Sequence, residues 1–126
     1  MPRGKISAGI AQPEDLHTAA CAKLLSAVIA LAVQDCCAPQ IGKKRNGTGG
    51  RLSAKALDAF EFIFLDPEKR FQLFLGCLDI DPDTFRYCLV QTMRADRAVK
   101  VLPDSKRMAF RRNYALFLRD HTGGLL

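Results

Sequence analysis

Histidine is scarce in this sequence, and the glycine-rich signatures of nucleotide-binding enzymes are missing. The chain has two histidines, neither at ligand spacing from a cysteine, which argues against a zinc site. No G-x-x-x-x-G-K-S/T, G-x-G-x-x-G or G-x-S-x-G motif occurs. The carboxylates are concentrated near helix starts, so no acid/base pair is indicated. We therefore expect a protein that is not an enzyme and that holds neither a metal nor another cofactor.

The cysteine patterns that indicate disulfide bonds are also absent. The five cysteines form no C-x-x-C motif, their number is odd, and an adjacent doublet such as Cys36-Cys37 rarely forms an internal bridge. We expect no disulfide framework. Cys77 and Cys88 are placed on core-facing helix positions, where cysteine behaves as a small hydrophobic residue. No secretory signal is recognisable, so we expect a cytoplasmic protein.

Uninterrupted hydrophobic runs are short. The most apolar stretch, residues 21–33, contains Lys23 and Ser26 and falls short of the ~20 residues that span a bilayer. It belongs to a helix that we expect from Pro13 to about Cys37, with apolar residues around more than half of the helix circumference. We expect this helix to be hidden from water, either packed centrally in the domain or paired with a second copy of the chain.

The sequence contains enough apolar material for one helical domain. Of its 126 residues, 48% are hydrophobic and 25% are charged, as in a single globular domain. β-Branched residues are few and no segment shows sustained alternation bounded by hairpin turns, so no sheet is expected. The expected fold is all-α, a compact bundle of about five helices within residues 13–126.

Capping signals divide this bundle into helices. Ser53 is placed to cap a helix that reaches about Leu65. Two Asp-Pro-acid triplets, at Asp66 and Asp81, each combine a capping carboxylate with a proline suited to the first helical position. The first of these helices is expected from Pro67 to about residue 77, and the second extends toward residue 102.

The remaining segments are a last helix and two flexible regions. The last helix is expected from about Ser105 to His121. Residues 1–12 are expected to form a flexible tail. Residues 39–51 contain four glycines and are expected to form a flexible basic linker.

The excess of positive over negative charge lies entirely in the last third of the chain. The net charge is +6, but residues 1–85 hold ten basic and ten acidic side chains. From residue 86 onward there are nine basic and three acidic side chains. A concentrated basic region attracts phosphate backbones or an acidic protein surface.

The helix that opens at Pro82 gathers part of this charge on one face. At 100° per residue, Phe85, Cys88 and Thr92 fall on the expected core face. The opposite side forms a basic stripe of Arg86, Arg94, Arg97 and Lys100. The residues expected to contact phosphates are this stripe, Arg107, Arg111 and Arg112, and a flexible arm of Lys43, Lys44 and Arg45. The alternative is an ordinary solvated helix face.

Residues 72–86 are similar to a helix-turn-helix segment of DNA-binding proteins. Asp79, Asp81 and Asp83 gather negative charge where a recognition helix would approach DNA, which argues against conventional major-groove insertion. The same aspartates do not complete a calcium loop, because Thr84 replaces the required glycine. Their expected roles are in turns and helix caps.

Four features follow one another along residues 14–90. They are an apolar helix ending near Gln34-Asp35, a basic glycine-rich linker, Ala56-x-x-x-Phe60-x-Phe62, and Phe74-x-x-Cys77-Leu78-x-Ile80-Asp81-Pro82-Asp83. In this order the chain resembles short phage and prophage proteins of uncharacterised function with a helix-turn-helix-like segment. The resemblance implies a small helical phage protein that acts in the host cytoplasm, and it transfers no catalytic residue.

Two functions are consistent with these observations. The first is a non-enzymatic, nucleic-acid-binding regulator of phage or prophage type, with DNA favoured over RNA. The second is a protein-interaction module, an inhibitor or adaptor, that binds an acidic surface of host machinery through the same basic stripe. A homodimer formed through the helix at residues 14–37 fits either function.

Overall fold

The computed structural model describes residues 13–42, 44–46, 49–94 and 103–121. Within these residues the chain forms five α-helices, α1 (Pro13–Cys36), α2 (Ala54–Phe60), α3 (Arg70–Cys77), α4 (Pro82–Arg94) and α5 (Asp104–His121). A π-helical turn, Glu61–Leu65, continues α2 without a break. No β-strand occurs in the described ranges, so the expected all-α architecture is confirmed.

Local capping chemistry sets the starts of α2 and α4 where the sequence predicts them. The Ser53 hydroxyl accepts a hydrogen bond from the backbone N–H of Ala56 at 3.2 Å. The Asp81 carboxylate accepts from the backbone N–H and the hydroxyl of Thr84, at 2.8 and 2.9 Å. Both caps satisfy N–H groups that a helix start otherwise leaves without partners.

The start of α3 differs from the prediction. The helix begins at Arg70, not at Pro67, because Asp66 and Lys69 adopt left-handed backbone conformations with φ of 48° and 61°. The buried Asp66 carboxylate still caps the helix, accepting from the backbone N–H groups of Phe71 at 2.9 Å and Gln72 at 3.0 Å. The triplet therefore supplies the cap, but from one turn further away.

An aromatic cluster centred on Phe60 forms the middle of the core. The fully buried Phe60 ring lies 5.4 Å from the Phe110 ring and 5.2 Å from the Phe117 ring, measured between centroids. Tyr114 stacks on the same ring at 6.1 Å. Because all three partners belong to α5, this one side chain of α2 holds the inner side of the C-terminal helix.

A buried amide joins α5 to the end of α1. The Nδ2 group of Asn113 donates hydrogen bonds to the carbonyl oxygens of Cys36 at 2.9 Å and Ala38 at 2.8 Å. The last carbonyls of a helix have no partner within the helix, so this side chain acts as a long-range C-terminal cap. It fixes where α1 ends relative to the aromatic cluster.

The glycine-rich segment after α1 is closed at its base. The backbones of Ile41 and Arg51 exchange two hydrogen bonds, each 2.9 Å long. Gly42 and Gly49 turn the chain at φ of 71° and 79°, a region that glycine enters without a steric penalty. The flexibility expected of this linker stays a prediction, and the tail at 1–12 lies outside the described residues.

The expectation that α1 is hidden from water within the domain is wrong. Helices α2, α3 and α5 pack against one side of α1 and bury Ile29, Ala32 and Cys36. On the other side, Leu24 is 65% exposed and Leu31 is 62% exposed. By length and composition alone, the segment Thr18–Cys36 is long and apolar enough to cross a membrane.

The Asn113 cap generates a prediction about stability. Asn113→Ala leaves the carbonyl of Cys36, at the end of α1, and that of Ala38, just beyond it, without this partner, which costs about 1–3 kcal/mol of unfolding free energy. Urea denaturation followed by circular dichroism measures the difference. The matched control is Gln91→Ala, an exposed amide on α4 whose loss should change stability by less than about 0.5 kcal/mol. Equal stability of the two variants contradicts a capping role.

Candidate functional site

Arg107, an expected phosphate contact, lies inside the protein. Its side chain is on the inner side of α5, and the residue is only 4% exposed. The guanidinium forms an ion pair with the carboxylate of Asp104, one turn earlier on the same helix. A phosphate cannot reach a guanidinium in this position, so Arg107 supports the fold instead.

Arg86, the first residue of the expected stripe, is also used within the fold. Its Nε donates a hydrogen bond to the carbonyl oxygen of Ile63 at 2.6 Å, and its Nη1 pairs with Asp83 at 2.8 Å. The guanidinium carbon lies 5.1 Å from the centroid of the buried Phe71 ring, within the range of a cation–π contact. This arginine ties α4 to the π turn.

The buried side of α4 differs from the predicted one, and Arg86 faces inward for that reason. The half-buried Phe85 and Leu89 and the buried Met93 face the core, about a quarter turn from the face that the sequence analysis favoured. Cys88 is exposed, and Cys77 on α3 is exposed as well. Their assignment to core-facing positions is therefore wrong.

Arg94 ends α4 with an exposed side chain close to α5. Partial burial raises the pKa of the Tyr114 phenol, and the positive charge of Arg94 opposes that effect by favouring the phenolate. The two side chains are therefore electrostatic neighbours. The other two members of the expected stripe, Arg97 and Lys100, lie outside the described residues.

The outward side of α5 carries three exposed arginines, which we name the α5 basic face. They are Arg111, Arg112 and Arg119. At 100° per residue they lie within about 100° of arc, opposite the buried Phe110, Asn113 and Phe117. Residues 105–119 contain no acidic side chain, although Asp120 follows and pairs with Arg119 at 3.3 Å. The face is therefore strongly positive.

Arg111 and Arg112 were predicted as phosphate contacts from the sequence, whereas Arg119 was not. The signal was available, because Arg119 follows Arg112 by seven residues and so returns to the same side of a helix after two turns. Lys106, another exposed basic residue, was also absent from the predicted set. Burial raises the pKa of the Cys37 thiol, and the positive charge of Lys106 partly offsets that rise. Lys106 thus lies near the start of the glycine-rich loop.

The expected basic arm lies on that loop. Lys44 and Arg45 are exposed, and Lys43 falls outside the described residues. The chain just before the loop lies against the middle of α5, because Asn113 donates a hydrogen bond to the carbonyl oxygen of Ala38.

The turn between α3 and α4 has a tight geometry. Asp79 adopts φ of 60°, and the backbone N–H of Ile80 donates to the carbonyl of Leu75 at 2.9 Å. Hydrogen bonds from Thr84, chiefly from its backbone N–H, lower the pKa of the Asp81 carboxyl. With Asp83 paired to Arg86, these acids serve the turn and the helix start. The similarity to a DNA-binding helix-turn-helix stays a prediction.

Two observations in the described part of the chain concern the Cys36 thiol and metal ligands. Burial, reinforced by Cys37 and Asp35, raises the pKa of the Cys36 thiol far above its usual value, so the thiol stays protonated. No group of three or more histidine, cysteine, aspartate or glutamate side chains that could hold a metal ion occurs among the described residues.

Comparison of the chain with protein-family models, with curated proteins and with solved structures finds no match. The resemblance to phage and prophage proteins therefore stays a prediction.

The internal arginines and the exposed arginines should respond differently to substitution. Arg86→Met removes charged hydrogen bonds to Ile63 and Asp83 and should lower the free energy of unfolding by about 1.5–3 kcal/mol. Arg112→Met, the matched change on the α5 basic face, should alter it by less than about 0.5 kcal/mol. Urea unfolding curves make the comparison. Equal losses in the two variants contradict the division into internal and exposed arginines.

Proposed function

We propose that this protein is a non-enzymatic, nucleic-acid-binding regulator that contacts the phosphate backbone through the α5 basic face. The observation that carries the proposal is the placement of Arg111, Arg112 and Arg119 on one exposed side of a single helix. No acidic side chain occurs over residues 105–119, and within the described residues Arg119 is the one member of the face with an acidic partner, Asp120. Among the proposed partners, duplex DNA is favoured over RNA.

Arginine suits this task because its planar guanidinium forms paired hydrogen bonds with phosphate oxygens and stays charged at any physiological pH. Arg112 and Arg119 are separated by two helical turns, about 10 Å along the axis. That separation lets them meet different phosphates of one strand. Contacts of this kind position a protein on a duplex without reading its sequence.

The attachment of α5 to the core makes the face rigid. Phe110 and Phe117 pack on Phe60, and Asn113 is bonded to the end of α1, so the helix cannot rotate about its axis. A rigid array of charges loses less conformational entropy on binding than the same charges on a flexible tail. Arg94 adds a further charge beside α5.

Residues outside the described ranges extend this proposal. Arg97 and Lys100 belong to the segment that joins α4 to α5, next to the basic face in sequence. Lys43, with Lys44 and Arg45, would act as a flexible arm that adds phosphate contacts. Phage or prophage origin and action in the host cytoplasm are part of the proposal and rest on the resemblance alone.

A protein-interaction module is the second candidate, and one observation favours it. Met108 is 47% exposed and lies on the same side of α5 as the three arginines. Methionine and arginine are both enriched in protein–protein interfaces. In this alternative, the α5 basic face binds an acidic surface of host machinery.

Binding to random-sequence duplex DNA tests the proposal. Fluorescence anisotropy over a salt series gives the slope of log K against log salt, about −0.9 for each phosphate contact. Arg111→Ala/Arg112→Ala should weaken binding and reduce the magnitude of that slope by about 1.8, because two contacts are lost.

The matched control removes the same charge elsewhere. Lys69→Gly/Arg70→Ala also deletes two exposed positive side chains, at the start of α3, and should leave the slope unchanged. Glycine suits position 69 because Lys69 has a φ of 61°. If the two double variants bind DNA with equal affinity, the net charge of the protein determines binding and the α5 basic face has no specific role. Absence of binding at low salt contradicts the regulator and favours the protein partner.

A further inference from the structure

The outward side of α1 presents a continuous apolar strip, which we name the α1 stripe. Its members are Ala20, Leu24, Ala27 and Leu31, all exposed. Their spacings of four, three and four residues keep them on one side of the helix. Val28, also exposed, borders the stripe. Soluble proteins rarely leave contiguous apolar surface of this kind uncovered.

A lipid bilayer is a poor occupant for this stripe, although the segment is long enough to span one. The opposite side of the same helix is sealed in the core by Ile29 and Cys36, and Asn113 holds the terminal carbonyls. Insertion of the helix would remove those side chains from the core and break the hydrogen bonds. It would also place the charged side chain of Lys23 in the hydrocarbon.

We propose that the α1 stripe binds the α1 stripe of a second copy of the chain, forming a two-fold symmetric dimer. Spacings of four and three residues are those at which two helices pack side by side with knobs in holes. Leu24 and Leu31 supply the knobs, and Ala20 and Ala27, which alternate with them, allow the two helices to approach closely.

The available area fits a small, reversible interface. The apolar segment of α1 from Thr18 to Cys36 has 19 residues. At 1.5 Å per residue and a width of 10–12 Å, one side offers about 300 Å² per copy, or about 600 Å² for the pair. A groove of about 400 Å³ beside Val28 and Leu31, with Lys55 and Phe62 in its wall, offers room for further side chains of the partner. An interface of this size is typical of a weak dimer that dissociates on dilution.

Charge also favours pairing at this surface. The stripe contains no ionisable residue. The charged residues beside it and in the wall of the adjoining groove are two of each sign: Lys23, Asp35, Lys55 and Asp58. The excess positive charge of the chain lies from Arg86 onward, on other elements. Two copies of a +6 protein can therefore meet through α1 without bringing like charges together.

The dimer is independent of nucleic-acid binding, so its test uses the full-length protein alone. Light scattering coupled to gel filtration, over a dilution series, should show a mass of two chains that falls to one chain on dilution. Leu24→Glu/Leu31→Glu should give a single chain at every concentration. Its circular dichroism should match wild type, because both leucines are exposed in the single chain.

The matched control places two glutamates at equally exposed apolar positions elsewhere. Leu73 on α3 and Tyr87 on α4 are 62% and 67% exposed, so Leu73→Glu/Tyr87→Glu should remain a dimer. A wild-type protein that is a single chain at every concentration overturns the proposal. The proposal is also overturned if the Leu24→Glu/Leu31→Glu variant remains a dimer. Flotation of the wild-type protein with phosphatidylcholine vesicles would overturn it too, because the stripe would then bind lipid.

Discussion

The packing of α5 onto the Phe60 ring is the contact on which both proposed surfaces depend. Phe110, Tyr114 and Phe117 all pack against that ring from one side of the helix. Because this side is held, the opposite side must face solvent. Asn113, on the same inner side, extends the constraint to the end of α1. The aromatic cluster thus determines which arginines are exposed and which side of α1 is covered.

Arginine has two distinct roles in this fold, and the rotation of each helix decides between them. Arg86 and Arg107 turn inward and bind a backbone carbonyl or a neighbouring carboxylate. Arg111 and Arg112, on the outer side of α5, make no ion pair with any other described residue. A count of basic residues therefore overstates the surface that is available to a polyanion.

Local chemistry explains what the sequence could predict. Ser53 and Asp81 cap their helices as expected, because a side chain and the N–H groups three residues later form a self-contained unit. The predictions that were wrong depend on contacts between residues that are far apart in the sequence. Arg86 turns inward to meet a carbonyl 23 positions earlier. Apolar periodicity shows that α1 is apolar on both sides, but it does not show that neighbours cover only the side of Ile29.

The most direct test of the account follows backbone amide signals of the ¹⁵N-labelled protein by NMR during titration with a short DNA duplex. Binding through the α5 basic face predicts shifts concentrated at Arg111, Arg112 and Arg119, with the amides around Leu24 unaffected. Shifts confined to α1 or to the turn before α4, or no shifts at low salt, contradict the claim that α5 contacts phosphate.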